Sequence, residues 1–270
     1  MIQRKSSLRA FMLSALAGIA FMQPFAHAAS PEFPSKPFTF VVPFPPGSGT
    51  DTSARYFGEK LTQLTGQPVV VENRPGGNGF IAVQKALSAP ADGYTVFVGS
   101  NSTLAMNSAM FKSLPYDPQK DFSPLSMMMR APTVLIVPPD SPHQSLKELI
   151  VAAKARPGEL NYAAGSAGYQ LMAELFNDMA GVDIENVPYK GASEAVVAVA
   201  SGTVDMAMSD ITAAYELVKA GKLRALAVAA DERAEALPDT PTSAEAGLPG
   251  FHAYVWVGAM VPAKTPQAET

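Results

Sequence analysis

The sequence predicts an α/β fold built on mostly parallel sheets. Three stretches repeat one plan, in which a short apolar strand runs into a turn of small residues and then into a helix; they cover residues 38–51, 96–103 and 160–168. Strand and helix signals keep alternating through the rest of the chain. Regular alternation of this kind is typical of parallel sheets that are covered by helices.

The first half of the chain is predicted to hold four strands, at residues 38–42, 68–72, 95–98 and 133–137. Three helices are predicted between them, at residues 50–64, 80–87 and 103–111. Thr50 or Asp51 is suited to cap the first helix, and Gly66 lies just past its end. The proline-rich residues 112–121 are predicted to be irregular.

The second half repeats the alternation. Ser145 and Glu148 form a capping box before an apolar run, so a helix is predicted through residue 155. The strands that follow are predicted at residues 160–163, 185–189, 204–208 and 223–229, and the helices at 171–179, 193–200 and 213–220. Residues 134–137 and 255–261 are interpreted as strands that connect the two halves.

The N-terminus is predicted to be a secretory signal peptide that covers residues 1–28. Three basic residues precede an apolar stretch at residues 10–22, which is too short to span a bilayer comfortably. Residues 26–28 read Ala-His-Ala, a small-residue cleavage site. Cleavage after Ala28 would leave an exported, periplasmic protein, and an uncleaved membrane anchor is the alternative.

Composition excludes several classes of function. Without the signal segment, 17 basic residues face 24 acidic ones, a net charge of −7. Such a chain is a poor partner for nucleic acid or an anionic membrane surface. There is no cysteine, which excludes thiolate–zinc and cysteine-nucleophile chemistry, and His143 and His252 are isolated in loop-like sequence. No metal or other cofactor is expected.

The small-residue turns predict an anion-binding site. The first N–H groups of a helix point outward and carry partial positive charge. Several such turns that face one another would hold an anion without lysine or arginine. Open α/β sheets bind ligands beyond the carboxyl ends of their strands, where these turns lie.

A colinear set of motifs resembles the Bug family of periplasmic binding proteins, the TctC-like receptors of tripartite tricarboxylate transporters. The motifs are FTFVVPFPPGSGTD at 38–51, VVENRPGG at 70–77, ADGYT at 91–95, VPYKG at 187–191, GTVDM at 202–206 and KAGKLRALAV at 219–228. Residues 238–245 and 261–266 continue the match over nearly all of the predicted mature chain. The resemblance implies a two-lobed fold of type II that closes on a small carboxylate.

The resemblance also implies a domain organisation. Residues 36–138 form lobe 1, to which residues 246–270 return through the hinge, and residues 139–245 form lobe 2. Thr265 and Pro266 resemble the start of a helix just before the sequence stops, so the C-terminal part of lobe 1 is interpreted as truncated.

Ligand contacts are expected from both lobes by the same match. Those of lobe 1 are Phe44, as an apolar wall, with Gly47, Ser48, Gly49, Thr50, Asp51, Ser100, Ser102 and Thr103. Those of lobe 2 are Tyr162, Ser166, Ala167, Gly168, Tyr189 and Asp210. Asp51 is also interpreted as a helix cap, and Tyr169 is an alternative to Tyr162 as an apolar wall. The segment 164–170 is shorter than the corresponding segment of the common family pattern. The histidine that is usual at the helix start is absent, and Gln170 is the residue that takes its place.

The implied function is that of a monomeric receptor for a small carboxylate, without catalysis. Its implied partner is a two-component membrane transporter, and sensing is the other role the family serves. An exported serine hydrolase or transferase is the alternative, with Ser48 or Ser166 as nucleophile beside backbone N–H groups. Neither His143 nor His252 lies near a glycine-rich turn in the sequence, which weakens that alternative. A truncated, non-functional relic is a third reading.

Overall fold

The computed structural model describes residues 33–267, and from Lys36 onward these belong to one compact unit. The strands within the described range are β1 (Phe38–Val42), β2 (Val69–Asn73), β3 (Thr95–Ser100), β4 (Phe122–Val137), β5 (Asn161–Ala164), β6 (Glu185–Pro188), β7 (Met206–Asp210), β8 (Arg224–Val228) and β9 (Tyr254–Pro262). The α-helices are α1 (Gly49–Thr65), α2 (Phe80–Leu87), α3 (Asn107–Met110), α4 (Leu146–Ala155), α5 (Ala167–Ala180), α6 (Ala192–Ala200) and α7 (Ile211–Lys219).

The strands form one continuous sheet in the order β2-β1-β3-β9-β4-β7-β5-β6, and β8 also pairs with β4. β1 is parallel to β2 and β3, with Phe40 opposite Val71 and Val96. β5 is likewise parallel to β6 and β7. Every recorded pairing of β4 and β9 is antiparallel. The sheet is therefore parallel towards both ends and antiparallel in the middle, rather than mostly parallel.

β4 belongs to both ends of the sheet. Its residues 122–132 pair with β9, and its residues 133–137 pair with β7 and β8. We call the part built on β1, β2, β3 and β9 the first half, and the part built on β5 to β8 the second half. The strand predicted at 133–137 is thus the end of a much longer strand, which passes from the first half into the second. The lobe boundaries at residues 138 and 245 stay a prediction.

Serine side chains start the helices that matter most for the site. Ser48, rather than Thr50 or Asp51, is the N-cap of α1, because its Oγ accepts a hydrogen bond from the N–H of Asp51 at 3.2 Å. Gly66 ends α1 in the left-handed conformation, with φ of 72°, which glycine adopts without a steric penalty. Ser145 caps α4 as predicted.

The helix predicted at residues 103–111 is interrupted. A π-helical turn, Ser102–Met106, leads into the single turn α3. The Thr103 hydroxyl accepts a hydrogen bond from the N–H of Ser100 and donates one to its carbonyl oxygen, both at 3.1 Å. These two bonds fold the chain back at the end of β3 and account for the irregular start.

Each half has its own apolar core. In the first half, Phe40 and Val98 pack with Val257 of β9. In the second half, fully buried Tyr162 and Phe176 pack together with neighbouring methionine and leucine side chains. Strands buried on both faces in this way are typical of a sheet covered by helices.

Three consecutive methionines of β4, Met127 to Met129, divide between solvent and core. Met127 is 62% exposed. Met128 and Met129 are half-buried and pack against the first-half core. In a regular strand, Met127 and Met129 would lie on the same face. The pairing of β4 with β9 shifts register between these two residues, and this irregularity lets one be exposed and the other half-buried.

The predicted signal peptide, with its cleavage site after Ala28, lies outside the described residues. Within residues 33–267, no helix is long and apolar enough to cross a membrane. At the other end, the N–H of Thr265 donates to the carbonyl oxygen of Pro262 at 2.9 Å and closes a turn after β9. Residues 268–270 are outside the described range.

Candidate functional site

A small cavity lies where the turns of the two halves meet. Its lining residues are Phe44, Ser48, Gly49, Thr50, Ser100, Asn101, Ser102, Met129, Ser166, Tyr169, Ala192, Asp210, Val255, Trp256 and Val257. The cavity leaves about 20 Å³ for the centres of water molecules, enough for on the order of one or two waters. The two halves are therefore closed on it in this structure.

Direct contacts between the halves surround the cavity. The hydroxyl oxygens of Ser102 and Ser166 are 3.0 Å apart and share a hydrogen bond. Gly191 lies against the ring of Pro45 so closely that a Cβ added to it would be 2.5 Å from Cδ of the proline. These contacts join the π-helical turn to α5, and the loop after β1 to the start of α6.

Four helices begin at the cavity wall. They are α1 at Gly49, α5 at Ala167 just after Ser166, α6 at Ala192 and α7 just after Asp210. Helix N-termini leave backbone N–H groups without intrahelical partners and carry about half a positive charge each. Peptide dipoles therefore make this a place of positive potential.

The N-terminus of α1 shows how the donors are left free. The Ser48 side chain takes the N–H of Asp51, and the Ser48 carbonyl oxygen takes the N–H of Thr52 at 2.9 Å. The N–H groups of Gly49 and Thr50 precede these and have no partner within the helix. Both residues line the cavity.

Ser100 supplies a hydroxyl that the protein leaves unused. This last residue of β3 is 5% exposed, and its Oγ has no hydrogen-bond partner. Burial of an unpaired hydroxyl costs about 1–3 kcal/mol. Because Ser100 lines the cavity, a bound ligand or water can supply the missing partner.

Asn101, next to Ser100, is held in place rather than free. Its Nδ2 donates to the carbonyl oxygen of Tyr254 at 3.1 Å, across from β9. The start of the π-helical turn is thereby tied to β9, which contributes Trp256 to the opposite part of the wall.

Asp210 and Tyr169 form a hydrogen-bonded pair on the second-half side. The Tyr169 hydroxyl donates to Oδ2 of Asp210 at 2.6 Å, and the N–H of Ala213 donates to Oδ1 at 3.0 Å. Burial raises the pKa of Asp210, and the bonds from Tyr169 and Ala213 partly oppose that rise. Burial and the neighbouring carboxyl raise the pKa of Tyr169, so the phenol stays a donor.

The remaining wall is apolar. Phe44 is buried in the loop after β1, Met129 comes from β4, and Trp256 stands between two buried valines of β9. No lysine, arginine or histidine belongs to the described residues that line the cavity. The arrangement therefore combines helix dipoles and hydroxyls with an apolar floor, and its one carboxyl group is that of Asp210.

The structure brings eight of the predicted ligand-binding residues together at the cavity: Phe44, Ser48, Gly49, Thr50, Ser100, Ser102, Ser166 and Asp210. Seven others do not belong to its lining: Gly47, Asp51, Thr103, Tyr162, Ala167, Gly168 and Tyr189. Their positions have separate physical causes.

Asp51 and Gly47 bond to each other beside the cavity. The N–H of Gly47 donates to Oδ2 of Asp51 at 2.9 Å, and Arg55 and Asn73 also donate to this carboxylate. Burial raises the pKa of Asp51, but these hydrogen bonds outweigh burial and the pKa falls below its ordinary value. Thr103 is occupied in the same manner by its bonds to Ser100.

Tyr162 points away from the cavity into the second-half core. It is fully buried, and its hydroxyl donates to Oε1 of Glu174 at 2.6 Å. Of the two tyrosines considered for the apolar wall, Tyr169 lines the cavity and Tyr162 does not. Tyr169 lies on α5, one turn after the cap residue Ser166. Tyr162 lies on β5, and its side chain points to the face of that strand that packs in the second-half core.

Ala167 and Gly168 lie in the first turn of α5, behind the cavity surface. Gly168 faces Ser102 so closely that no side chain would fit between them. Tyr189 lines a neighbouring cavity together with Lys190 and residues 76–79. Phe44 and Ser166 belong to the walls of both cavities.

The residues that the sequence did not assign to the site come from distant parts of the chain: Asn101, Met129, Ala192, Val255, Trp256 and Val257. By their sequence surroundings, Met129 and Trp256 resemble ordinary packing residues of a strand. Asn101 and Ala192 could have been found from the same helix-start signal, because each lies at a small-residue turn after a strand. No sequence signal distinguishes Trp256 from a core residue.

The serines proposed as nucleophiles have other partners. Ser48 Oγ accepts the N–H of Asp51, and Ser166 Oγ shares its hydrogen bond with Ser102. His252 pairs with Asp231 at 2.9 Å, on an exposed surface. Across residues 33–267, histidine, aspartate and glutamate form no group of three or more that could hold a metal ion.

Comparison with known proteins gives a consistent result. The sequence model described as "Tripartite tricarboxylate transporter family receptor" (TctC) matches residues 53–269. The chain is 39% identical over 254 residues to protein BugT of Bordetella pertussis, and the match covers 93% of this chain and 76% of BugT.

Solved structures agree over the whole described fold. R. palustris Rpa4515 with adipate has a TM-score of 0.85 and 37% identity, covering 88% of this chain and 80% of Rpa4515. MatC from Rhodopseudomonas palustris with bound malate has a TM-score of 0.83 and 35% identity, covering 88% and 81%. The periplasmic binding protein BugD has a TM-score of 0.82 and 29% identity, covering 88% and 80%. The chain therefore belongs to the TctC family of tripartite tricarboxylate transporter receptors, the Bug-type periplasmic solute-binding proteins, and it has their two-lobed α/β fold.

Proposed function

We propose that this chain is an exported receptor that closes on a small carboxylate, and that it binds the ligand without chemical turnover. The ligand occupies the cavity between the two halves, with its carboxylate towards the N-termini of α1, α5 and α6. The receptor then serves secondary uptake through a two-component membrane transporter, or sensing.

The observation that carries this proposal is the unpaired hydroxyl of Ser100. It is buried at a cavity where four helices begin, so a hydrogen-bond acceptor with negative charge is the partner that fits both features. Charge-assisted hydrogen bonds contribute about 1.5–3 kcal/mol each. Several such bonds, offset by desolvation and by closure of the halves, favour affinity on the order of micromolar.

Two similar proteins support the ligand class. Rpa4515 was solved with adipate and MatC with bound malate, and both ligands are small carboxylates. The apolar wall formed by Phe44, Met129 and Trp256 would contact the carbon skeleton of the ligand. A ligand larger than the present cavity requires the two halves to stand further apart than they do here.

The test is a thermal-shift screen of carboxylates, followed by titration calorimetry of those that stabilise the protein. Each acid is paired with its uncharged amide, which has the same shape. We expect stabilisation by acids and not by amides, with no release of product in a parallel ester-hydrolysis assay. Turnover of an ester that Ser166→Ala abolishes would overturn the proposal in favour of a hydrolase, and the absence of binding by every acid would refute it.

A further inference from the structure

Asp210 is the only acidic residue that lines the cavity within the described chain. Its side chain is 1% exposed, and no basic side chain belongs to the same lining. A buried carboxylate without a positive partner is unfavourable. A ligand with negative charge alone would add a second anion to this enclosed space.

The carboxylate of Asp210 can accept further hydrogen bonds. Tyr169 donates to Oδ2 and the N–H of Ala213 donates to Oδ1. The N–H groups of Thr212 and of Asp210 itself also lie near the carboxylate and help to lower its pKa, while Oδ1 faces Gly49, where the wall carries no side chain. All of these donors are neutral, and none supplies the missing positive charge.

Gly49 opens the carboxylate to the cavity. A Cβ added to Gly49 would lie 2.9 Å from Oδ1 of Asp210, so any side chain at this position would cover that oxygen. Gly49 is also the first residue of α1, whose free N–H groups attract a carboxylate. An anion-binding helix end and a carboxylate oxygen thus lie within one small molecule's reach of each other.

We propose that Asp210 selects a ligand that carries a protonated amino group beside its carboxylate, which makes the preferred ligand an amino acid or similar amino-carboxylate rather than a plain acid. This inference rests on the carboxylate-receptor function proposed above. The ammonium group donates to Asp210, and the ligand carboxylate faces the helix N-termini and Ser100. The ligand thereby supplies the positive partner that the protein lacks, and the buried charges of ligand and Asp210 compensate each other.

The test compares acids that differ only in the amino group. Titration calorimetry on the full-length protein uses the pairs L-aspartate and succinate, L-glutamate and glutarate, L-alanine and propionate, and 4-aminobutanoate and butanoate. In the pair with the tightest binding, we expect the amino member to bind at least tenfold more tightly. Equal or tighter binding of the plain acid in that pair would overturn the inference and leave the carboxylate receptor intact. If none of the four amino members binds, the inference is refuted, and the carboxylate receptor is judged by the wider acid screen described above.

Two substitutions connect the preference to Asp210. Asp210→Asn and Asp210→Ser both remove the charge, and both keep a side-chain oxygen that can cap α7. We expect the ratio of the two affinities within the pair to fall at least tenfold in each variant, mainly because the amino member of the pair binds more weakly. Asp178→Asn, an exposed position on α5, removes the same charge outside the cavity and should keep the wild-type ratio. A ratio that persists in both Asp210 variants, with a cooperative melt that shows they are folded, would refute the role of Asp210.

Discussion

Gly191→Ala tests whether ligand binding depends on the closed contact between the two halves. Gly191 precedes α6 with φ of −169°, an extended conformation that any residue adopts, so alanine brings no strain within the second half. Its Cβ would lie 2.5 Å from Cδ and 3.0 Å from Cγ of Pro45. Unstrained carbon atoms pack at about 3.5–4.0 Å, so the loop after β1 would have to move by roughly 1 Å.

The magnitude follows from the cost of overpacking. Forcing an extra methyl group into a packed contact costs about 1–3 kcal/mol. Since each 1.4 kcal/mol is tenfold in affinity, the dissociation constant should rise by about 5- to 150-fold. The unliganded protein can relieve the contact by opening, so its free energy of unfolding should change much less than the affinity does.

Titration calorimetry with the tightest carboxylate of the screen measures the effect. Pro45→Ala removes the ring atoms that the new methyl group would strike, so the double variant should bind like Pro45→Ala alone. Gly258→Ala is the matched control, because its Cβ would meet Met260 and Ser126 at an ordinary 3.5 Å. Unchanged affinity in Gly191→Ala, or no recovery on the Pro45→Ala background, would refute the reasoning.

Three further predictions concern the cavity and its supports. Ser100→Ala should weaken carboxylate binding by about 10- to 150-fold, because it removes one charge-assisted hydrogen bond of about 1.5–3 kcal/mol. Titration calorimetry checks the affinity, and urea unfolding checks that stability does not fall, since a buried unpaired hydroxyl is removed. Asp51→Asn should lower the free energy of unfolding at neutral pH, because the lowered pKa of Asp51 contributes stability that is present above pH ~4 and lost as the pH falls through the folded-state value. Urea unfolding at pH 7 and pH 3 should show a difference from wild type that shrinks in acid, and a difference independent of pH would contradict the role of the hydrogen bonds from Arg55 and Gly47. Tyr162→Phe should lower the free energy of unfolding by about 1 kcal/mol, because the hydrogen bond to Glu174 is lost, and should leave the ligand affinity unchanged. A weaker ligand affinity in this variant would show that Tyr162 contributes to ligand binding.

The sequence predicted those parts of the fold that depend on local chemistry. Strand β1 and helix α2 have the predicted bounds, and the Ser145 cap and the Gly66 helix end are where their local signals placed them. These features depend on residues a few positions apart, whose side chains and backbone conformations act within one turn. The small-residue turns at Ser48 and Ser166 were found for the same reason.

Features that depend on distant contacts could not be read from the sequence. The extension of β4 back to Phe122 requires β9 as a partner, more than 100 residues away. Trp256 and Met129 reach the cavity because β9 and β4 pass beneath it, and their sequence surroundings look like any core strand. The choice between Tyr162 and Tyr169 depended on which face of β5 turns to the core, which neighbouring strands and helices decide.

The convergence of helix N-termini on the cavity determines how the attraction of an anion depends on pH. A lysine or histidine in such a place would lose its positive charge as the medium became alkaline, whereas an amide dipole has no proton to give up in water. Attraction of an anion by α1, α5, α6 and α7 therefore persists from mildly acidic to strongly basic conditions. Among the described residues that line the cavity, the carboxyl group of Asp210 is the one that takes up a proton as the medium becomes acidic.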